Sequence, residues 1–195
     1  MPFLTILGLI VVVILAYCVS IFNFLSSVRT RIQASIQEIG NQLKRQADLI
    51  PNLEESAKAY LKHEKDIFKL LADARKTIDA AVKSADLRKY AQASDQISQI
   101  LPKIQVVMES NPEIKGADIL TKLMDELRDT SDKVMYSRRT LIDLTADYNI
   151  KLVTFPSNLV ANLFGFKAEQ GLSTPVSGAH LTVSEDDLIT PKVSL

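Results

Sequence analysis

Cysteine is almost missing from this chain: Cys18 is the only one in 195 residues. That excludes an intrachain disulfide framework and any CxxC metal site. Tryptophan is absent, and glycine and proline number only 6 and 7, a composition that favours helix over turn-rich β architecture. Neither sign of charge dominates. Lys+Arg and Asp+Glu stand at 23 each, so no global field draws the chain to nucleic acid or to an anionic surface. Histidine occurs twice, as His63 and His180. His63 opens HEKDI, which begins like HExxH, but Ile67 stands where the second histidine belongs. One histidine and one carboxylate fall short of the three protein ligands of a catalytic zinc. No GxGxxG, P-loop or GxSxG occurs, and no two segments carry the ExxH pairs of a di-iron bundle. The expectation is a protein with no catalytic residues, cofactor, metal or small-molecule substrate.

What the chain does have is a long apolar start. Residues 3–25, FLTILGLIVVVILAYCVSIFNFL, carry no charge. As a helix they are about 34 Å long at ~1.5 Å per residue, enough for a hydrocarbon core of ~30 Å. A signal peptide would need a basic n-region and a shorter core, and the first basic residue is Arg29. A lipoprotein signal would need a small residue before Cys18, where Tyr17 stands. Residues 1–27 therefore read as a transmembrane anchor that meets the lipid bilayer through 3–25. Arg29, Arg31, Lys44 and Arg45 all follow it, which predicts an outside N-terminus and a cytoplasmic body. The compartment implied is a bacterial inner membrane or an intracellular membrane derived from it.

Residues 28–166 read as the helical body. After residue 27, apolar positions recur at steps of 3 and 4. The first segment reads Val28, Ile32, Ile36, Ile39, Leu43, Ala47, Ile50. The second, 53–85, reads Ala57, Tyr60, Glu64, Ile67, Leu71, Ala74, Ile78, Ala81, Ala85, and the third, 86–110, Leu87, Tyr90, Ser94, Ile97, Leu101, Ile104, Met108. The fourth, 117–153, reads Leu120, Met124, Leu127, Ser131, Val134, Arg138, Leu141, Thr145, Tyr148, Leu152. Such seams specify coiled-coil-like packing. LIPN at 49–52, KSAD at 83–86 and NPEIKG at 111–116 separate the segments, and short breaks make antiparallel neighbours. The fold class expected is all-α. The membrane helix continues into an elongated antiparallel four-helix, up-and-down bundle, followed by a flexible tail over 167–195. Pro51 and Asn52 are expected to form the corner at which the first helix turns back, Pro51 as breaker and Asn52 as cap. Pro102 is expected to kink the third helix.

Three features stand out as candidate sites. Glu64 and Arg138 occupy inward seam positions and would meet if the second and fourth helices were neighbours, with Ser131 and Ser94 extending a structural polar layer. Lys44, Arg45 and Gln46 form a basic, solvated patch open to a partner. FPSNLVANLFGF at 155–166 follows the fourth helix. Pro156 ends that helix, Ser157 or Asn158 starts a short apolar one, and Phe155, Leu163, Phe164 and Phe166 are further partner-contact candidates. This segment either packs on the bundle or returns to the bilayer interface.

Four words, QLKRQADLIPNL at 42–53, His63–Glu64 with AR at 74–75, SRR at 137–139 with YN at 148–149, and FPSNLVANLFGF, follow a membrane span. In this the chain resembles the bacterial LemA family over residues 1–166. The resemblance implies an anchored helical bundle with a cytoplasmic body, no enzyme activity and no catalytic residues to transfer. Some members, including a MamQ type, are tied to magnetosome membranes. Three functions are open: a membrane-anchored scaffold with a protein partner or a homo-oligomeric state, a membrane-remodelling or organelle-assembly protein, and a regulatory partner of a membrane protease or transporter.

Overall fold

The computed structural model describes residues 2–58, 65–110 and 118–172, and these are all-helical apart from short connections. Among the described residues, five helices follow one another: α1 (Pro2–Lys58), α2 (Lys65–Ser84), α3 (Leu87–Ser110), α4 (Asp118–Val153) and α5 (Ser157–Leu163). α1 alone is about 85 Å long at ~1.5 Å per residue.

The first four helices form an up-down-up-down bundle. Arg45 of α1 reaches Glu126 of α4, while Lys151 lies over the Phe24 ring; as α1 advances, its partners on α4 recede, so the two are antiparallel. The same holds for α3 and α4, where Arg138 meets Asp95 and Arg128 meets Gln105. The α2–α3 turn at Ala85–Asp86 lies beside Gln33 and Ile36 of α1, so α2 descends and α3 climbs again. α1 touches α2, α3 and α4, and α3 touches α2 and α4, but α2 and α4 do not touch among the described residues. They are diagonal partners in a square.

The core follows the heptad steps closely. Ile67, Leu71, Ala74, Ile78 and Ala81 of α2 are buried, as are Tyr90, Ser94, Ile97 and Ile104 of α3. On α4 the buried line is Leu120, Met124, Leu127, Ser131, Val134, Leu141, Thr145 and Tyr148. Steps of 4 and 3 average 3.5 residues per turn, which keeps one seam facing its neighbours over the helix's length. On α1 the buried line begins within the apolar run, at Ile21 and Leu25, and continues through Val28, Ile32, Ser35, Ile39, Leu43, Gln46, Ile50, Leu53 and Ala57. It differs from the expected seam at Ser35 and Gln46, polar residues that give no hydropathy signal. The steps from Ser35 to Ile39 to Leu43 are both 4, a local break in the heptad. Gly40 lies there, and a Cβ on it would come within 2.8 Å of the Tyr90 hydroxyl, so glycine lets α3 close on α1.

Pro51 and Asn52 are not the corner. α1 passes through both without interruption and reaches Lys58. Proline at 51 deletes one backbone donor, but Leu49, Ile50 and Leu53 around it are buried in the core. Tertiary packing of an amphipathic face outweighs one missing bond. Among the described residues, α2 begins at Lys65 and runs about 30 Å to Ser84. α3 likewise continues through Pro102. The NPEIKG break lies outside the described residues.

The α2–α3 turn matches expectation at Asp86, whose carboxylate accepts the Arg88 amide at 2.8 Å, the bond of an N-cap. Ala85 before it takes a left-handed φ of 48°, a costly conformation for a residue with a Cβ.

Candidate functional site at the base of the bundle

Every large side chain from Phe3 to Leu15 is exposed, as are Tyr17, Val19, Phe22 and Phe24. α1 is the one helix among the described residues long and apolar enough to cross a membrane. Burial begins at Ile21, so the last turns of the apolar run already belong to the bundle. What covers them is the segment after α4.

FPSNLVANLFGF builds that cover. The Phe155–Pro156 peptide is cis, and α4 ends at Val153. Ser157 is buried, and its hydroxyl faces the Lys151 and Thr154 carbonyls at 2.7 and 2.8 Å. Its one proton thereby serves carbonyls at the C-terminal end of α4, of which that of Thr154 also accepts the Asn158 amide at 2.9 Å. At the other end Gly165 adopts φ 70°. Its amide donates to Asn162 and that of Phe166 to Ala161, at 3.2 and 2.9 Å. These two bonds with a left-handed glycine form a Schellman closure, which explains the glycine between two phenylalanines. α5 then buries Val160 and Ala161. Phe164 and Phe166 both pack edge-on against Phe22, with ring centroids 4.9 and 5.6 Å away.

The other face of this corner is bare. Val153, Phe155, Leu159, Leu163 and Phe164 are 77, 75, 60, 76 and 52% exposed. Of the four expected contact residues here, Phe155 and Leu163 are free, Phe164 is half engaged with Phe22, and Phe166 is partly buried. Leu159 and Val153 belong to the same surface and were not among the expected contact residues. The signal was available: no charge occurs from Val153 to Phe166.

Residues 167–172 are not a free tail. Asn149 exchanges two bonds with the Glu169 backbone, both 3.0 Å, and Arg29 holds the Glu169 carboxylate at 2.8 Å. Leu172 packs on the core. Residues 173–195, with His180, lie outside the described residues. Beneath this strap the Tyr148 ring is fully buried, and its hydroxyl has no hydrogen-bond partner among the described residues. Burial, then the nearby Glu169 carboxylate, push its pKa up, while Arg29 opposes them.

The expected polar layer resolves differently. Arg138 does not face α2, because α2 and α4 are diagonal. Its guanidinium donates to the Asp95 carboxylate at 2.7 Å and to the buried Ser94 hydroxyl at 3.1 Å. Ser131 is buried on the seam. Glu64 and His63 lie outside the described residues.

The basic patch also changes. Arg45 bridges to Glu126 of α4, and the hydrogen bond it donates to that carboxylate holds the guanidinium above its ordinary pKa. Gln46 points inward, fully buried, so it cannot be the exposed contact expected of it. Lys44 remains exposed.

Elsewhere, Met135 and Tyr136 stand exposed on the side of α4. Tyr136 borders a shallow groove of about 370 Å³ with Arg31 and Glu38. A larger groove of about 870 Å³ runs between Gln33, Arg88 and the strap residue Gln170. No group of three or more His, Cys, Asp or Glu is placed to hold a metal among the described residues.

A family model described as the LemA family matches residues 35–183, well over half of the chain. The match continues past Phe166, in keeping with the ordered strap. No curated protein matches the chain.

Proposed function

The chain belongs to the LemA family, and from that premise we propose that it is a membrane-anchored helical scaffold without catalytic activity. One observation carries the reading: α1 is a single helix that serves as the apolar run at one end and as a core helix of the bundle at the other. A span joined to its domain by a flexible linker leaves the domain free to tumble. Here no linker exists. The bundle from Ile21 to Lys58 is a rod of about 56 Å, held at one angle to whatever membrane α1 crosses. That geometry suits a protein that presents a side or tip at a set distance from a bilayer.

The body is cytoplasmic in this reading, and the short N-terminus outside. Basic residues begin at Arg29 and Arg31, and none precedes the span. A scaffold needs a second protein or a second copy of itself. The exposed Met135 and Tyr136, 54 and 75% open, are the natural place to look along the rod.

Photo-crosslinking residues placed at Met135 and Tyr136 in the full chain, in its native membrane, test this. Discrete crosslinked species containing a partner or a second copy are expected. A chain that stays monomeric in detergent and yields no crosslink from either position would end the scaffold reading.

A further inference from the structure

We propose that the α4–α5 corner is a second membrane contact: Val153, Phe155, Leu159, Leu163 and Phe164 seat at the acyl–headgroup boundary beside α1 and set the depth at which α1 sits. This rests on reading α1 as a membrane span.

Position is the first argument. Phe164 packs on Phe22 at 4.9 Å, and Lys151 lies over the Phe24 ring at 5.8 Å. Residues just after Lys151, namely Val153 and Phe155, therefore stand level with the turn Ile21–Phe24. From Phe3 to Phe22 an α-helix rises about 30 Å, the thickness of a hydrocarbon core. The corner stands where that core ends.

Chemistry is the second argument. The corner continues the bare apolar belt of α1 sideways, with five large apolar side chains between half and three-quarters exposed. No charged residue interrupts 153–166, whereas Arg29, Lys151 and Lys167 lie just beyond it on three separate segments. The Arg29 charge is shared with Glu169. Apolar side chains on one side and long cationic ones on the other match an interface, where lysine and arginine keep their heads in water.

Rigidity is the third argument. α5 is too short to persist alone, yet both its ends are tied, by Ser157 to α4 and by the Gly165 closure. Its exposed leucines are held outward and cannot fold back onto the core. The occupant is lipid because the surface is continuous with the span and lies at its boundary. Met135 and Tyr136, much further along α4, are not.

A span alone can slide and tilt at modest cost. A span with a rigid apolar foot cannot do so without lifting the foot into water or driving those cations into hydrocarbon. The foot therefore makes the angle of the rod a property of the fold.

The test uses the full chain carrying Cys18→Ser. It is labelled with an environment-sensitive fluorophore at a single cysteine, Val11→Cys, Leu163→Cys or Met135→Cys, and reconstituted in phosphatidylcholine–phosphatidylglycerol vesicles. The Leu163 label should emit to the blue of the Met135 label. It should be quenched by lipids spin-labelled near the headgroup end of the acyl chain, and Val11 by lipids spin-labelled near its centre. Adding Leu159→Ser should reduce quenching at Leu163 and leave Val11 unchanged. A Leu163 label as wet as Met135, with Val11 still quenched, overturns the foot and leaves the span standing. A Leu163 label that is dry but unquenched means that protein, not lipid, covers the corner, and also overturns it. An unquenched Val11 overturns the span reading itself.

Discussion

Replacing Pro51 by alanine should stabilise this protein. Pro51 sits inside α1, seven residues before its end at Lys58, with Ile50 and Leu53 on either side buried in the core. A proline there has no N–H for the Ala47 carbonyl, and its ring crowds the same carbonyl. The hydrogen bond alone is worth about 1 kcal/mol. The full penalty of proline against alanine in a helix interior is about 3 kcal/mol. α1 already follows its path through Pro51, so the variant needs no rearrangement and the gain lies between those limits. For a chain of this size about 1 kcal/mol moves Tm by ~2–4 °C, so the expected rise is about 2–12 °C. The assay is thermal unfolding of the detergent-solubilised full chain, followed by helical circular dichroism, wild type against Pro51→Ala. Were Pro51 the corner of a helical hairpin, alanine would remove a turn-former and Tm would fall. A lowered Tm therefore refutes the continuous α1.

Other perturbations follow from single contacts. Ala85→Gly should raise stability by up to about 1 kcal/mol, since glycine takes the left-handed φ without a Cβ clash; a loss on thermal unfolding would contradict the turn. Asn149→Asp replaces the donor that faces the Glu169 carbonyl at 3.0 Å with a second acceptor. Amide exchange across 167–172 should accelerate while the helical core stays protected, and unchanged exchange would mean that the strap is held elsewhere. Arg138→Ala should cost only about 1 kcal/mol, because its partner Asp95 is more than half exposed and such pairs are weak; a loss several times larger would restore a buried charge layer. Tyr148→Phe removes a buried hydroxyl that has no partner among the described residues and should be neutral or stabilising by up to about 3 kcal/mol. The raised pKa has a signed consequence. Stability from neutral Tyr148 is complete below its ordinary pKa of 10.0 and is lost as pH rises through the elevated value. The phenylalanine variant should lose less stability than wild type in alkaline denaturation, and identical alkaline profiles would contradict the burial.

The bundle was legible because its information is periodic. Leu120 to Tyr148 and Ile67 to Ala81 repeat at 3.5 residues, and nearly every apolar seam position is buried. Four features were not legible, each for a physical reason. Pro51 obeys a local rule, and a local rule loses when the core residues around it reward a straight helix more than one missing donor costs. Arg138 and Glu64 invited a pairing because both fall on inward seams, but a seam does not say which helices are diagonal. Only the square arrangement, with α2 and α4 apart, directs Arg138 to Asp95 instead. Gln46 read as exposed and Ser35 escaped notice because hydropathy is blind to a polar residue on a buried face. The FPSNLVANLFGF segment was visible as apolar and unusual. Its two faces, Val160 and Ala161 inward against Leu159 and Leu163 outward, needed the structure.

The central claim is that the apolar run and the bundle's core helix are one continuous rod. The most direct measurement is a pulsed electron–electron distance between spin labels at Val12 and Lys44, both exposed, in the full chain with Cys18→Ser in lipid nanodiscs. An unbroken α-helix separates those positions by about 48 Å, and a single narrow distribution centred there is predicted. A broad distribution, or one centred well short of that length, would place a hinge between membrane and bundle and contradict the account.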